Sequence, residues 1–129
     1  MPKQKAEYAY GKKRSKKSKR SEKMTGIKSS PKPLARLENS LTSGNIWLSA
    51  LSLMKRKKVY AYALPREIKN NFGFEPSRLM TYFVLYKLES DGFVMAKFEG
   101  RRKYYEITAA GRKLLLSGKQ LLSIVAKKL

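Results

Sequence analysis

The sequence predicts an α+β fold, and three observations lead to this prediction. Apolar residues recur at helical spacing in three separate segments between residues 45 and 90. Two β-prone runs joined through Gly100 follow these segments and predict a hairpin. A last apolar stripe near the C-terminus predicts a fourth helix. Three helices, a two- to three-stranded wing sheet and a C-terminal helix, in this order, form a winged helix-turn-helix, which we place at residues 45–129.

The first predicted helix spans residues 45–55, where Ile46, Leu48 and Leu51 recur at near-helical spacing. A run of four cations closes it: Lys55, Arg56, Lys57 and Lys58. Cations stabilise the negative end of a helix dipole, and the same charges could contact nucleic-acid phosphates. The sequence leaves both roles open.

A short strand and a second helix are predicted next. Residues 59–62 alternate and are β-prone, which indicates the strand. Pro65 suits the first turn of the second helix, and Gly73 suits its end. Only a short connection separates this helix from the next one, which begins at Pro76. That connection is typical of the turn in a helix-turn-helix.

The third predicted helix, residues 76–90, is the reading helix of such a motif. Thr81, Leu85 and Leu88 fall on its inner face. Its outward residues are predicted to be Ser77, Arg78, Met80, Phe83, Tyr86 and Lys87. Ser77, Arg78 and Lys87 carry groups suited to base edges, so we predict that they contact nucleic acid. Met80 and Phe83 are apolar, which favours a protein surface, a dimer contact or a base stack.

The hairpin after this helix carries a basic tip. Asp91 and Gly92 predict a tight turn, and residues 93–98 and 103–107 are the predicted strands. The candidate wing residues are Arg101, Arg102, Lys103, Tyr104 and Tyr105. Arginine pairs with phosphate through two hydrogen bonds and tyrosine hydroxyls also bond to it, so we predict that the wing contacts nucleic acid. Alternatively, the charges only keep the hairpin edge from aggregating.

The fourth predicted helix runs from Ala109 to about residue 129, with Thr108 as its cap. Its apolar stripe consists of Leu114, Leu115, Leu121, Leu122, Val125 and Leu129. Such a stripe either packs into the core or pairs two copies of the chain.

Residues 1–44 are predicted to be a basic arm that is disordered alone and ordered on nucleic acid. They hold 13 basic and three acidic residues, and the densest basic run has no apolar residue to nucleate a core. The candidate contacts are Tyr8, Tyr10, Lys12, Lys13, Arg14, Lys16, Lys17, Lys19 and Arg20. The cations would neutralise phosphates, and the tyrosines would stack on bases or sugars. A solubilising tail or an import-like signal is the alternative.

The composition of the chain favours a nucleic-acid-binding protein over an enzyme or a membrane protein. The net charge of +21 makes nucleic acid the expected partner. The chain has no Cys and no His, so we expect neither a metal nor a cofactor. No pair of carboxylates suggests general acid/base chemistry, and an enzyme is not expected. The sequence shows neither a membrane span nor a signal peptide, which favours a protein inside the cell.

Residues 45–129 resemble the PadR family of winged-helix regulators. The resemblance is carried by Tyr62, Tyr82, Leu88-Glu89, Gly92-Phe93, residues 101–105, Ile107-Thr108 and Gly111-Arg112. It implies a winged-helix domain, dimerisation through the last helix, and binding of double-stranded DNA by Arg78, Lys87 and the wing. The basic arm and the apolar outward face of the reading helix depart from the family's pattern.

These observations support three hypotheses about function. The arm, the charge of both parts and the poorly equipped reading helix favour a structural rRNA-binding protein, ribosomal or ribosome-associated, in the cytoplasm. Its layout resembles that of some archaeal and eukaryotic small-subunit ribosomal proteins, and Met80 and Phe83 would contact neighbouring ribosomal proteins. The alternative is a PadR-like regulator or chromatin-type protein of the nucleoid, a homodimer on duplex DNA. A protein-interaction adaptor that uses Met80 and Phe83 is the third.

Overall fold

The computed structural model describes residues 30–129. Within this range the chain forms five α-helices, a 3₁₀ turn and three strands. In chain order they are α1 (Lys32–Leu41), α2 (Ile46–Met54), β1 (Val59–Tyr60), the 3₁₀ turn (Ala61–Ala63), α3 (Leu64–Phe72), α4 (Arg78–Ser90), β2 (Val94–Glu99), β3 (Arg102–Ile107) and α5 (Ala109–Lys128). The predicted α+β winged helix-turn-helix is confirmed.

Helix α1 lies in the segment that we had assigned to the arm. Leu34, Leu37 and Leu41 of that segment recur at i, i+3 and i+7, which is a helical pattern. The charge and the prolines of the segment favoured an extended arm instead. Pro33 stands in the first turn, where its missing N–H costs nothing. No residue of α1 is buried. Leu37 and Leu41 are exposed and Leu34 is half-buried, so the leucines of this helix do not form part of the buried core.

Helices α2, α3 and α4 enclose the core. Leu51, Ile68 and Leu85 are fully buried and come from one helix each. Thr81 is also fully buried, and its hydroxyl donates to the backbone carbonyl of Ser77 at 2.8 Å, which satisfies the polar group. The inner face predicted for the reading helix is thus confirmed.

The strands form one antiparallel sheet in the order β1-β3-β2. The register pairs Val59 with Tyr105 and Glu99 with Arg102. The first strand ends at Tyr60, two residues earlier than predicted. Ala61 and Leu64 are both buried. Residues three apart face the same side of a 3₁₀ turn but opposite sides of a strand, so the chain turns here.

The end of the hairpin and the start of α5 are packed closely together. Thr108 Oγ1 accepts from the N–H of Gly111 at 3.1 Å and donates to the carbonyl of Gly92 at 2.7 Å. A Cβ atom on Gly111 would lie 2.1 Å from the carbonyl oxygen of Phe93, so only glycine fits there. Leu115 is the last buried residue of α5, and residues 119–129 are all exposed. In the described part of the chain no helix is long and apolar enough to cross a membrane.

Candidate nucleic-acid interface

The reading helix α4 projects an apolar stripe. Ser77 caps its N-terminus by accepting from the N–H of Met80 at 3.1 Å. Opposite the buried face, the most exposed of the large hydrophobic side chains are Leu79 (79%), Tyr86 (69%) and Phe83 (56%). These three residues form what we call the outward stripe. Leu79 was missed in the sequence analysis, although its position two residues before Thr81 places it on the opposite side of a helix.

The two cations of α4 flank this stripe in different settings. The guanidinium of Arg78 lies 3.8 Å from the centre of the Tyr62 ring, and its Nη1 donates to the Tyr62 carbonyl at 2.7 Å. Arg78 is therefore held against the 3₁₀ turn by a cation–π contact and a hydrogen bond. Lys87 lies over the Phe83 ring, 5.9 Å from its centre, and stays exposed.

The wing presents two arginines to solvent. Arg101 and Arg102 are exposed, and neither forms a salt bridge with any described residue. Gly100 precedes them with a φ of 61°, a conformation that favours glycine and closes the tip. Arg102 also lies over the ring of Tyr60, 5.3 Å from its centre. The two guanidinium groups are thus available for an anionic partner.

The other predicted wing residues are more enclosed. Tyr105 is buried, and its hydroxyl donates to Glu89 Oε1 at 3.3 Å. Lys103 lies 5.2 Å from the centre of the Tyr105 ring and 3.9 Å from the same carboxylate oxygen. The Tyr105 side chain, and then Glu89, raise the pKa of Lys103 above its ordinary value, against an opposing effect of burial. Tyr104 is half-buried beside Tyr60, with ring centres 5.5 Å apart.

The four cations after α2 divide into two pairs. Lys57 and Lys58 form ion pairs with Glu67 and Glu99, and the second of these pairs ties Lys58 to the end of the wing sheet. Glu99 raises the pKa of Lys58 above its ordinary value, mainly through the hydrogen bond between the two side chains. Lys55 and Arg56 are exposed and have no acidic partner among the described residues.

A groove between the wing, β1 and α4 brings several of these residues together. Its volume is about 430 Å³, and we call it the tyrosine groove. It is lined by Tyr60, Ala61, Tyr62, Tyr82, Tyr86, Arg101, Lys103 and Tyr105. Tyr60 and Tyr82 were not predicted to be site residues, since only the fold brings β1 beside α4. No lining residue is acidic, so the groove suits a partner that offers negative charge and flat or apolar surface.

The described residues contain no group of three or more acidic, His or Cys side chains placed to hold a metal. The arm residues predicted to contact nucleic acid, from Tyr8 to Arg20, lie outside the described range.

Comparison with known proteins places this fold and site in a family. The family model described as "Transcriptional regulator PadR-like family" matches residues 50–117. This range includes α3, α4, the whole wing and the first half of α5. None of the curated proteins is significantly similar in sequence to this chain.

Several solved structures share the fold. A PadR family transcription regulator from Clostridium difficile aligns with a TM-score of 0.60 and 23% identity over 65% of this chain and 93% of that one. A transcriptional regulator from Clostridium thermocellum aligns with a TM-score of 0.61 and 20% identity over 68% of this chain and 92% of that one. A PadR family transcriptional regulator from Eggerthella lenta aligns with a TM-score of 0.61 and 23% identity over 74% of this chain and 88% of that one. At these identities the likeness establishes the fold.

The expectation of a ribosomal rRNA-binding protein is wrong. It depended on the arm and on the shortage of hydrogen-bonding groups along the reading helix, whereas the matched family consists of transcription regulators and the match includes both the reading helix and the wing. The suggested contacts of Met80 and Phe83 with ribosomal proteins are withdrawn with it. The chain belongs to the PadR-like family of transcriptional regulators.

Proposed function

We propose that this protein is a transcription regulator that binds double-stranded DNA as a homodimer. The observation that carries the proposal is the family match over residues 50–117, which contains the reading helix, the tip of the wing and the tyrosine groove between them. A regulator of this kind would work in the nucleoid, where its DNA is.

The distribution of charge supports contact with the DNA backbone. Arg101 and Arg102 lie at the wing tip without an acidic partner among residues 30–129, and Lys103 and Tyr104 follow along the hairpin. The wing would neutralise phosphates, and Ser77, Arg78 and Lys87 would touch the backbone or base edges along the major groove. The hydroxyl of Tyr105 faces Glu89, so its proposed part is to position Lys103.

The cations outside the wing and α4 would add affinity that does not depend on sequence. Lys55 and Arg56 are free of acidic partners in the described range, whereas Lys57 and Lys58 are ion-paired. The basic residues Lys12 to Arg20 would neutralise further phosphates, with Tyr8 and Tyr10 as stacking groups. Each phosphate neutralised releases a counterion, so binding should weaken steeply as salt increases.

The C-terminal helix supports the dimer. Leu121, Leu122, Ile124 and Val125 are all exposed, in a segment where the chain buries nothing of its own. An apolar stripe of this length on an otherwise basic protein suits a second copy of the same helix. Two copies would carry two reading helices, and a symmetric dimer reads two half-sites about one helical turn of DNA apart.

Selection of binding sites from a pool of random duplexes tests the proposal. The full chain should enrich an inverted repeat, and light scattering should give the mass of two chains. Enrichment of no sequence motif would contradict a sequence-specific regulator. A monomer that still binds one half-site would contradict the dimer but leave DNA binding intact.

A further inference from the structure

The outward stripe has the wrong chemistry for reading bases by hydrogen bonds alone. Leu79 and Phe83 have no polar side-chain atom, and they are among the most exposed residues of α4. Exposed apolar side chains raise the free energy of the protein in water, and a partner that covers them removes this cost. The stripe therefore indicates a partner with an apolar group to offer at this place.

The charges around the stripe decide between partners. Arg78 and Lys87 flank it on α4, and Arg101 lies on the wing side, in the tyrosine groove that Tyr86 also lines. Of the nearby acids, Glu89 is occupied by Tyr105 and Lys103, and Asp91 lines a pocket together with Phe83 and Lys87, so cations outnumber free acids around the stripe. A second copy meeting this face with its own would set cation against cation on a chain of net charge +21. A polyanion with an apolar group between its phosphates suits the surface better.

Duplex DNA offers one apolar group of this kind in its major groove, the C5-methyl of thymine. We propose that Leu79 and Phe83 read thymine methyl groups, so that the protein selects thymine at the centre of each half-site. The inference rests on the proposed function, since it names which duplexes that function would choose. The flanking cations would hold the phosphates on either side while the stripe covers the methyl groups.

Replacement of thymine by deoxyuridine tests this directly, because it removes the methyl group and keeps every hydrogen-bonding atom of the base pair. The probe is a duplex selected by the full chain, with single deoxyuridines placed through one half-site, and affinity is measured by fluorescence anisotropy. Burial of one methyl group corresponds to about a fourfold change in affinity. We expect a loss of this size at one or two positions, and no change for deoxyuridine outside the half-sites.

Protein variants show whether the stripe is responsible. Leu79→Ala should bind the thymine duplex more weakly and should no longer distinguish thymine from deoxyuridine at the position it contacts. Met95→Ala is the matched control, since Met95 is a half-exposed apolar residue on β2, outside the stripe. It should keep the wild-type ratio of the two affinities.

The outcomes separate this inference from the proposed function. A selected motif whose binding is unaffected by deoxyuridine at every position would overturn the methyl reading and leave the regulator intact. Selection of no duplex motif would overturn both. If Leu79→Ala changed the mass of the protein in solution and left the thymine-to-deoxyuridine ratio unchanged, the stripe would be a contact between copies, and the inference would be wrong.

Discussion

The wing arginines give the most quantitative prediction. Arg101 and Arg102 are exposed and unpaired among the described residues, whereas Lys103 lies 3.9 Å from Glu89. The wing therefore offers two cations that have no acidic partner among the described residues. Each phosphate contact contributes about 0.9 to the slope of log K against log salt, so Arg101→Ala with Arg102→Ala should reduce the slope by about 1.8 per protomer and about 3.6 per dimer.

The assay is a titration of a selected duplex at several salt concentrations. Lys113→Ala with Lys119→Ala is the control, because it removes the same charge from exposed positions of α5, away from the wing tip. The control should change the slope by much less. Both double variants should unfold within about 1 kcal/mol of wild type, since exposed substitutions rarely cost more than about 0.5 kcal/mol each. An unchanged slope for the wing variant would show that the wing does not contact DNA.

Three further predictions concern assembly and stability. Leu121→Glu with Val125→Glu puts charge on the exposed stripe of α5 and should give monomers by light scattering; an intact dimer would move the interface elsewhere. Gly111→Ala should lower the free energy of unfolding in urea by about 1–3 kcal/mol, because the added Cβ meets the Phe93 carbonyl; an unchanged value would contradict this close contact. Lys103→Met tests the raised pKa of Lys103. A raised pKa stabilises the fold at pH values below the ordinary 10.5, and this stabilisation is lost as the pH rises through the raised value. The variant should therefore be less stable than wild type at neutral pH, and the difference in stability should close in alkali. A difference that stays constant with pH would refute the raised pKa.

The order of elements could be predicted because each is marked locally. Thr108 caps α5 as its position suggested, and the inner face of α4 follows from the spacing of Thr81, Leu85 and Leu88. Helix α1 was not predicted because the charge and prolines of its segment favoured an extended arm, and because none of its leucines is buried in the core. The prediction of a longer β1 failed where burial of Ala61 and Leu64 required a helical turn.

The site was less predictable, because its contacts join residues that are distant in sequence. Arg78 reaches Tyr62 across 16 residues, and Lys58 reaches Glu99 across 41, and no local pattern encodes either pair. Strand alternation predicts that Tyr104 and Tyr105 face opposite sides of the sheet, but only the fold shows that the side of Tyr105 is the buried one.

The choice of RNA over DNA had a different cause. The reading helix offers few hydrogen-bonding groups to base edges, and its apolar outward residues favour a protein contact when hydrogen bonding alone is considered. The major groove also presents thymine methyl groups, so apolar side chains on a reading helix are compatible with duplex DNA. The family match overturned the ribosomal expectation, which the composition could not do, since a basic arm serves either nucleic acid equally well.

A sequence-specific regulator of duplex DNA must distinguish two duplexes of the same composition. The full chain is titrated at physiological salt into a duplex carrying its selected site and into a duplex of the same composition with the site scrambled. We expect the selected duplex to bind on the order of a thousandfold more tightly. Equal affinities for the two duplexes would show that the basic surface binds DNA without reading it, and would contradict a sequence-specific regulator.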